Sequence, residues 1–246
     1  MDKMLFIAMN GARQAMQAQN SISHNLANAS TVGFKADLDT FTSWHVEGPG
    51  HQTRVYNQLE AEGSNLLPGS FANTNRELDV AVQGKGWLAV QGTDGNEAYT
   101  RAGDLQLDAN GQLTTGAGFA VIGNSGPIVL PPAQKIEIGA DGSISMIPVG
   151  QTSESLAIVD RIKLVNPPEE QIQKGADGLM RLVDGQVAAL DAGVTLASGV
   201  IEHSNVNAVA ELVDLIQNAR QYEANVKLMR TAKENDESSA QLLRGS

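Results

Sequence analysis

Three regimes of hydrophobic spacing divide the chain. In the first, Leu5, Ala8, Ala12, Ala15, Ile22 and Leu26 recur at alternating steps of three and four, with Gln19 the polar interruption. That spacing lines one side of a helix. The helix runs into Asn28, which tolerates the left-handed conformation that ends helices, and then Gly33, which permits a sharp turn. The last forty residues repeat the pattern. Val209, Leu212, Ile216 and Ala219 share one stripe, which resumes after a three-residue step at Tyr222, Val226 and Met229. It weakens at Lys233 and Asp236 and returns at Ala240 and Leu243. Heptads with one such discontinuity predict a coiled-coil helix that is locally overwound. Asn207 is placed to cap this helix, and Glu211 in its first turn suits the dipole. Leu26 and Leu212 are expected on facing seams of the two terminal helices.

Between the helical ends the period changes to two. Leu78, Val80 and Val82 alternate with Asp79, Ala81 and Gln83, and Trp87 to Val90 is a short apolar run. Asn110-Gly111 follows the alternation at Leu105 and Leu107, and Asp141-Gly142 separates Ile136 and Ile138 from Ile144 and Met146. Both are hairpin signals. Residues 120–122, 128–130, 158–165 and 179–183 are further strand candidates. Residues 36–75 read as a connector broken at Gly48-Pro49-Gly50, Gly63 and Pro68-Gly69, with Phe41, Trp44, Val46, Val55, Tyr56 and Leu59 suggesting short extended pieces. The expected architecture is α+β, with four parts. These are an N-terminal helix (1–35), an extended connector arm (36–75), an all-β middle domain of short antiparallel strands (76–200) and a C-terminal helix (201–246). The two helices form one coiled-coil layer.

Composition narrows the function. A net charge of −11 opposes a nucleic-acid surface, which needs clustered cations. There is no cysteine, so neither disulfides nor thiolate metal sites are possible. No stretch is long and apolar enough to span a membrane, and the N-terminus lacks the apolar core of a cleaved secretory signal.

Candidate chemistry is sparse. Gly84-Lys85-Gly86-Trp87-Leu88-Ala89 fits a dinucleotide fingerprint, but that motif must open a helix, and here a β run follows. A tight turn is the better reading. His24, His45, His51 and His203 show no metal-ligand spacing, and His24 reads as a helix-end surface residue. Glu169-Glu170 follows two prolines, and adjacent carboxylates point apart. No catalytic, cofactor or metal site is expected.

Three blocks, in order, carry a resemblance. Asn25-Leu26-Ala27-Asn28 with Ser30-Thr31-Val32-Gly33-Phe34-Lys35 is similar to the N-terminal signature of bacterial flagellar rod and hook proteins. Residues 75–87 with Tyr99-Thr100-Arg101-Ala102-Gly103-Asp104 resemble the start of that family's middle domain, although Trp87 and Leu105 depart from its usual aromatic pattern. Ser204-Asn205-Val206-Asn207, Glu211-Leu212 and residues 220–227 resemble its C-terminal signature. Length and the opening Met1-Asp2-Lys3-Met4 are most similar to proximal rod members, with distal rod members the alternative.

The resemblance implies a non-enzymatic subunit of the flagellar basal-body rod that self-assembles into a helical, torque-transmitting shaft. Its partners would be other rod proteins, copies of itself and the flagellar type III export apparatus, with no nucleic acid. It would be exported without a cleaved signal and assemble across the periplasm. The inter-subunit residues implied are Leu5, Ala12, Ile22, Asn25, Leu26, Asn28, Gly33, Phe34, Asn205, Asn207, Leu212, Ile216, Arg220, Tyr222, Glu223, Asn225, Val226 and Met229. Two other classes stand beside this reading: a monomeric β-domain enzyme or binding module whose terminal helices merely close one core, and a coiled-coil adaptor.

Overall fold

A computed structural model describes residues 3–45, 55–148 and 157–244 and resolves into two compact units. Met1-Asp2, Val46, Gly48-Pro49-Gly50 and His51 of the sequence reading lie outside the described residues.

The first unit contains α1 (Lys3–Ala27), β1 (Asp37–His45), β2 (Val55–Ser64) and α2 (Ala208–Arg244). Helix α1 ends at Asn28 without a left-handed residue. Among the described non-glycine residues only Asn75 has a positive φ, so the expected left-handed cap is corrected. Instead the Asn28 backbone N–H and side-chain amide both donate to the carbonyl of His24, satisfying an orphan acceptor of the last turn. Asn207 caps α2 as expected, accepting from the N–H groups of Val209 at 3.1 Å and Ala210 at 3.2 Å. The helices run antiparallel. Asn25 donates to Glu211, Asn218 donates to the Ala15 carbonyl, and Gly11 faces Asn225. At 37 residues against 25, α2 is about 18 Å longer at 1.5 Å per residue and continues beyond the start of α1.

Strands β1 and β2 form a two-stranded sheet, so the extended pieces expected around Trp44, Val55, Tyr56 and Leu59 belong to one ladder.

The second unit holds the remaining strands. They are β3 (Phe71–Asn73), β4 (Val80–Gln83), β5 (Trp87–Gln91), β6 (Glu97–Thr100), β7 (Leu105–Leu107), β8 (Leu113–Thr115) and β9 (Ala133–Ile138). After them come β10 (Ser143–Pro148), β11 (Ala157–Arg161), β12 (Leu164–Val165), β13 (Ile172–Lys174), β14 (Met180–Leu182), β15 (Thr195–Ser198) and β16 (Val200–Glu202). The sheets run β12-β5-β6-β14-β13 and β11-β10-β9, with pairs β15-β4, β16-β3 and β7-β8. All the described pairings are antiparallel. Both expected hairpins form. Asp108 turns the first by accepting from the N–H groups of Asn110 and Gln112, and Asp141 turns the second by accepting from Ser143.

Val80, Ala81 and Val82 are all buried, so β4 is covered on both faces and the expected one-sided alternation does not hold. Val, Ile and Leu dominate the larger core, from Val80 to Leu196, while Trp87, Tyr99, Val165 and Met180 form a smaller one. The long-range pairs β15-β4 and β16-β3 bring the end of the β region back to its beginning. The fold is thus α+β, with the terminal helices packed on one another and a middle of short antiparallel strands.

Candidate assembly surface

The α1 side of the helix seam is small. Ala8, Ala12 and Ala15 are 3%, 6% and 4% exposed, Asn25 is buried, and Leu5, Ile22 and Leu26 are partly buried. The α2 side differs from its apolar pattern. Glu211, Leu215, Asn218, Tyr222, Asn225, Met229 and Ala232 are partly or fully buried in an alternation of four and three, and Ala208, Ala219 and Val226 are partly buried beside them. This seam runs past Ala219 without the step that the apolar stripe makes there. Its first half sits one position away from the apolar stripe. Two observations explain the shift. Alanines and Gly11 on α1 leave room for polar α2 side chains, and two of these find α1 partners, Asn218 at the Ala15 carbonyl and Glu211 at the Asn25 amide.

The displaced apolar residues face outward. Val209, Leu212 and Ile216 are 72%, 47% and 54% exposed, so Leu212 does not share a closed seam with Leu26. Arg220 and Glu223 are exposed, while Tyr222, Asn225, Val226 and Met229 are partly buried. Asn25 anchors the other end of the pair. Its side-chain oxygen accepts from the Asp37 N–H at 2.7 Å, and its side-chain amide donates to the Asp37 carbonyl and to Glu211. Burial pushes the Glu211 carboxyl above its ordinary pKa, aided by the charge of Asp214, while the Asn25 hydrogen bond opposes the rise. His24 contacts Asp37 and is exposed, in keeping with its helix-end reading.

In the second unit the segment Ser30–Ala36 is held by an ion triad. Glu202, fully buried in β16, accepts from Lys35 at 2.6 Å through one oxygen and from Arg101 at 3.1 Å through the other. Lys35 also donates to the Leu67 carbonyl, and Arg101 to the carbonyls of Val82 and Gly84. Burial lowers the pKa of both cations, and Glu202 opposes that shift at each.

Gly33 adopts φ of 67° and donates to the Glu202 carbonyl, and a Cβ there would collide with the backbone of Arg101 and Ala102. Phe34 is buried under the Lys174 ammonium, 3.7 Å from the ring centroid. Asn205 accepts from the Ala36 N–H and donates to the carbonyls of Asn65 and Leu67. Reading the sequence did not find Lys35, Arg101 and Glu202 as a group. Lys35 and Arg101 did stand inside two of the quoted blocks.

The glycine turn and its lysine have structural places in the fold. Gly84 and Gly86, with φ of 76° and 126°, form the turn between β4 and β5, and a strand follows instead of a phosphate-binding helix. Lys85 pairs with Glu169 on the surface. Among the described residues no cluster of three His, Asp or Glu side chains could hold a metal, and no helix is long and apolar enough to cross a membrane.

Comparison with known proteins follows the same three blocks. The description "Flagella basal body rod protein" matches residues 5–35, "Flagellar hook protein FlgE/F/G D1 domain" residues 81–146, and "Flagellar basal body rod FlgEFG protein C-terminal" residues 197–242. The flagellar basal-body rod protein FlgF of Escherichia coli K12 is 42% identical over 99% of both chains. The chain belongs to the flagellar basal-body rod protein family. FlgF of Salmonella typhimurium is 41% identical over the same share, and the rod protein FlgG of Buchnera aphidicola (Schizaphis graminum) is 33% identical over 97% of this chain and 98% of its own. As a member of the rod family the protein is a structural subunit of the basal-body rod and not an enzyme, and it assembles with rod proteins.

Proposed function

We infer that this is the FlgF-type subunit of the proximal rod, built into a helical shaft by copies of itself and neighbouring rod proteins. The observation that supports this most is the outward apolar stripe Val209, Leu212 and Ile216 on a helix whose inner seam is already filled. An amphipathic helix with a second apolar side needs a second partner. The residues we assign to assembly, by contact with neighbours or by holding the helical layer that makes those contacts, are Leu5, Ala12, Ile22, Asn25, Leu26, Asn28, Gly33, Phe34, Asn205, Asn207, Leu212, Ile216, Arg220, Tyr222, Glu223, Asn225, Val226 and Met229.

Two roles divide among them. Leu212, Ile216, Arg220 and Glu223 present side chains to neighbours. Asn25, Asn28, Gly33, Phe34, Asn205 and Asn207 fix the chain at the ends of the helices. Subunits stack by a heterologous contact that does not close, and torque passes through the packed helices. Export runs through the flagellar type III apparatus, and the rod crosses the periplasm. The FlgF proteins of Escherichia coli and Salmonella typhimurium, 42% and 41% identical, exceed the 33% of the Buchnera FlgG, which favours the proximal position. Imaging purified basal bodies with this subunit labelled tests the reading. Label at the cell-proximal part of the rod agrees with it, whereas label along the distal rod or absent from the rod contradicts it.

A further inference from the structure

The ion triad of the second unit does not balance. Lys35 and Arg101 are both buried, and among the described residues Glu202 is the one carboxylate paired with either. The carbonyls of Leu67, Val82 and Gly84 add hydrogen bonds, but a carbonyl dipole does not cancel a charge. One positive charge is therefore held in the interior without a counter-ion of its own, which is costly. Arg101 also has donors to spare. It makes three hydrogen bonds, and its buried Nε has no partner among the described residues. A guanidinium carries more N–H groups than these acceptors use.

A cavity of about 240 Å³ adjoins that guanidinium. It is walled by Lys85 and Gly86 of the turn between β4 and β5, and by residues 166–169 after β12. Arg101 and Trp87 line it too, with the guanidinium carbon 5.2 Å from the Trp87 ring centroid. Leu66 and the two prolines add apolar wall. Lys85 and Glu169, both exposed, pair at 2.8 Å and also line the cavity.

These features select a ligand. Two cations and one carboxylate line the cavity in a chain whose net charge is −11, so the site favours an anion. A planar carboxylate suits a guanidinium, and the ring, leucine and prolines suit a short apolar stem. The pairing of Lys85 with Glu169 is already a contact of that kind.

We propose that this cavity binds a carboxylate carried on a short apolar stem, which takes Lys85 from Glu169 and lies against Arg101 and Trp87. A free short-chain organic acid has that chemistry, and so does a glutamate side chain of another protein. The site lies wholly within the second unit and stands independently of the rod reading.

The test is a titration of the purified full chain, labelled with nitrogen-15 and followed at the Trp87 indole N–H, with Trp44→Phe removing the other tryptophan signal. The probes are sodium propionate, N-acetyl-glycyl-glutamyl-glycinamide and inorganic phosphate, each at constant ionic strength. Propionate or the peptide is expected to shift the signal saturably. Tighter binding of propionate assigns the site to a free acid, and tighter binding of the peptide assigns it to another protein's side chain. Glu169→Gln removes the competing carboxylate and should tighten binding about two- to fivefold, the range an exposed ion pair allows. Lys85→Ala should weaken it by about as much. Both positions are exposed, so both variants should melt like wild type. A signal that neither carboxylate shifts saturably would overturn the proposal, as would an affinity that neither variant changes. Phosphate binding as tightly as both carboxylates would overturn the assignment of a carboxylate on an apolar stem.

Discussion

Asn25 and Glu211 stand 186 residues apart in sequence and 3.2 Å apart in the fold, where the Asn25 amide donates to the Glu211 carboxylate. The bond fixes which face of α2 meets α1. With Glu211 inward, its neighbour Leu212 faces out. A seam position is thus filled by a polar residue, and an apolar one is left at the surface.

Glu211 gives the helix pair a pH dependence. Its folded pKa lies above the ordinary glutamate value of 4.5, chiefly through burial. In the window just above that value the folded chain keeps a proton that the unfolded chain releases. The contribution to stability is therefore complete below the ordinary value and is lost as pH rises through the folded one. Glu211→Gln removes the titration. The melting temperature of wild type should fall relative to Glu211→Gln as pH rises through this window. A difference that does not change with pH would contradict the assignment.

Glu202 offers a larger effect. Its removal strands the buried ammonium of Lys35 and the guanidinium of Arg101. Breaking a buried ion pair by deleting one partner costs about 3–5 kcal/mol. Glu202→Ala should lower the urea midpoint of the monomer by a corresponding amount. The double variant Lys35→Met with Glu202→Met should recover part of the loss, because it removes the stranded ammonium while Arg101 stays without its carboxylate. A neutral Glu202→Ala would show that the triad does not hold the fold.

The β region carries its own core. Every residue of the two buried clusters lies between Val80 and Leu196. A fragment of residues 76–200 should therefore unfold cooperatively in urea, although it lacks Lys35 and Glu202 and is less stable than the whole chain. A gradual, non-cooperative loss of structure would count against this division of the chain.

Local spacing made the helices, both hairpins and Asn207 as a cap legible, since each depends on residues a few positions apart. It also found the α1 seam at Ala8, Ala12 and Ala15. The α2 seam was misread because apolar residues were assigned to the only partner the chain supplies. Glu211 and Asn218 face inward because α1 offers them the Asn25 amide and the Ala15 carbonyl, and Asn225 fits there beside Gly11. The triad was hidden for a different reason. Lys35 and Glu202 are 167 residues apart, and nothing in either local pattern signals the other. The pairing emerges only when β16 meets β3 and Ser30–Ala36 joins the same unit.

On the reading proposed here the outer stripe of α2 serves assembly and not folding, and Leu212→Asp tests that claim most directly. At 47% exposure the residue is accessible in the subunit, where surface substitutions usually change stability by within about 0.5 kcal/mol. In a packed rod the same carboxylate would be desolvated without a partner. The measurement is the melting temperature of the purified variant alongside the motility of cells that carry it. The account predicts wild-type melting, normal export, no rod and no swimming. Normal swimming, or a large drop in the monomer's melting temperature, would contradict it.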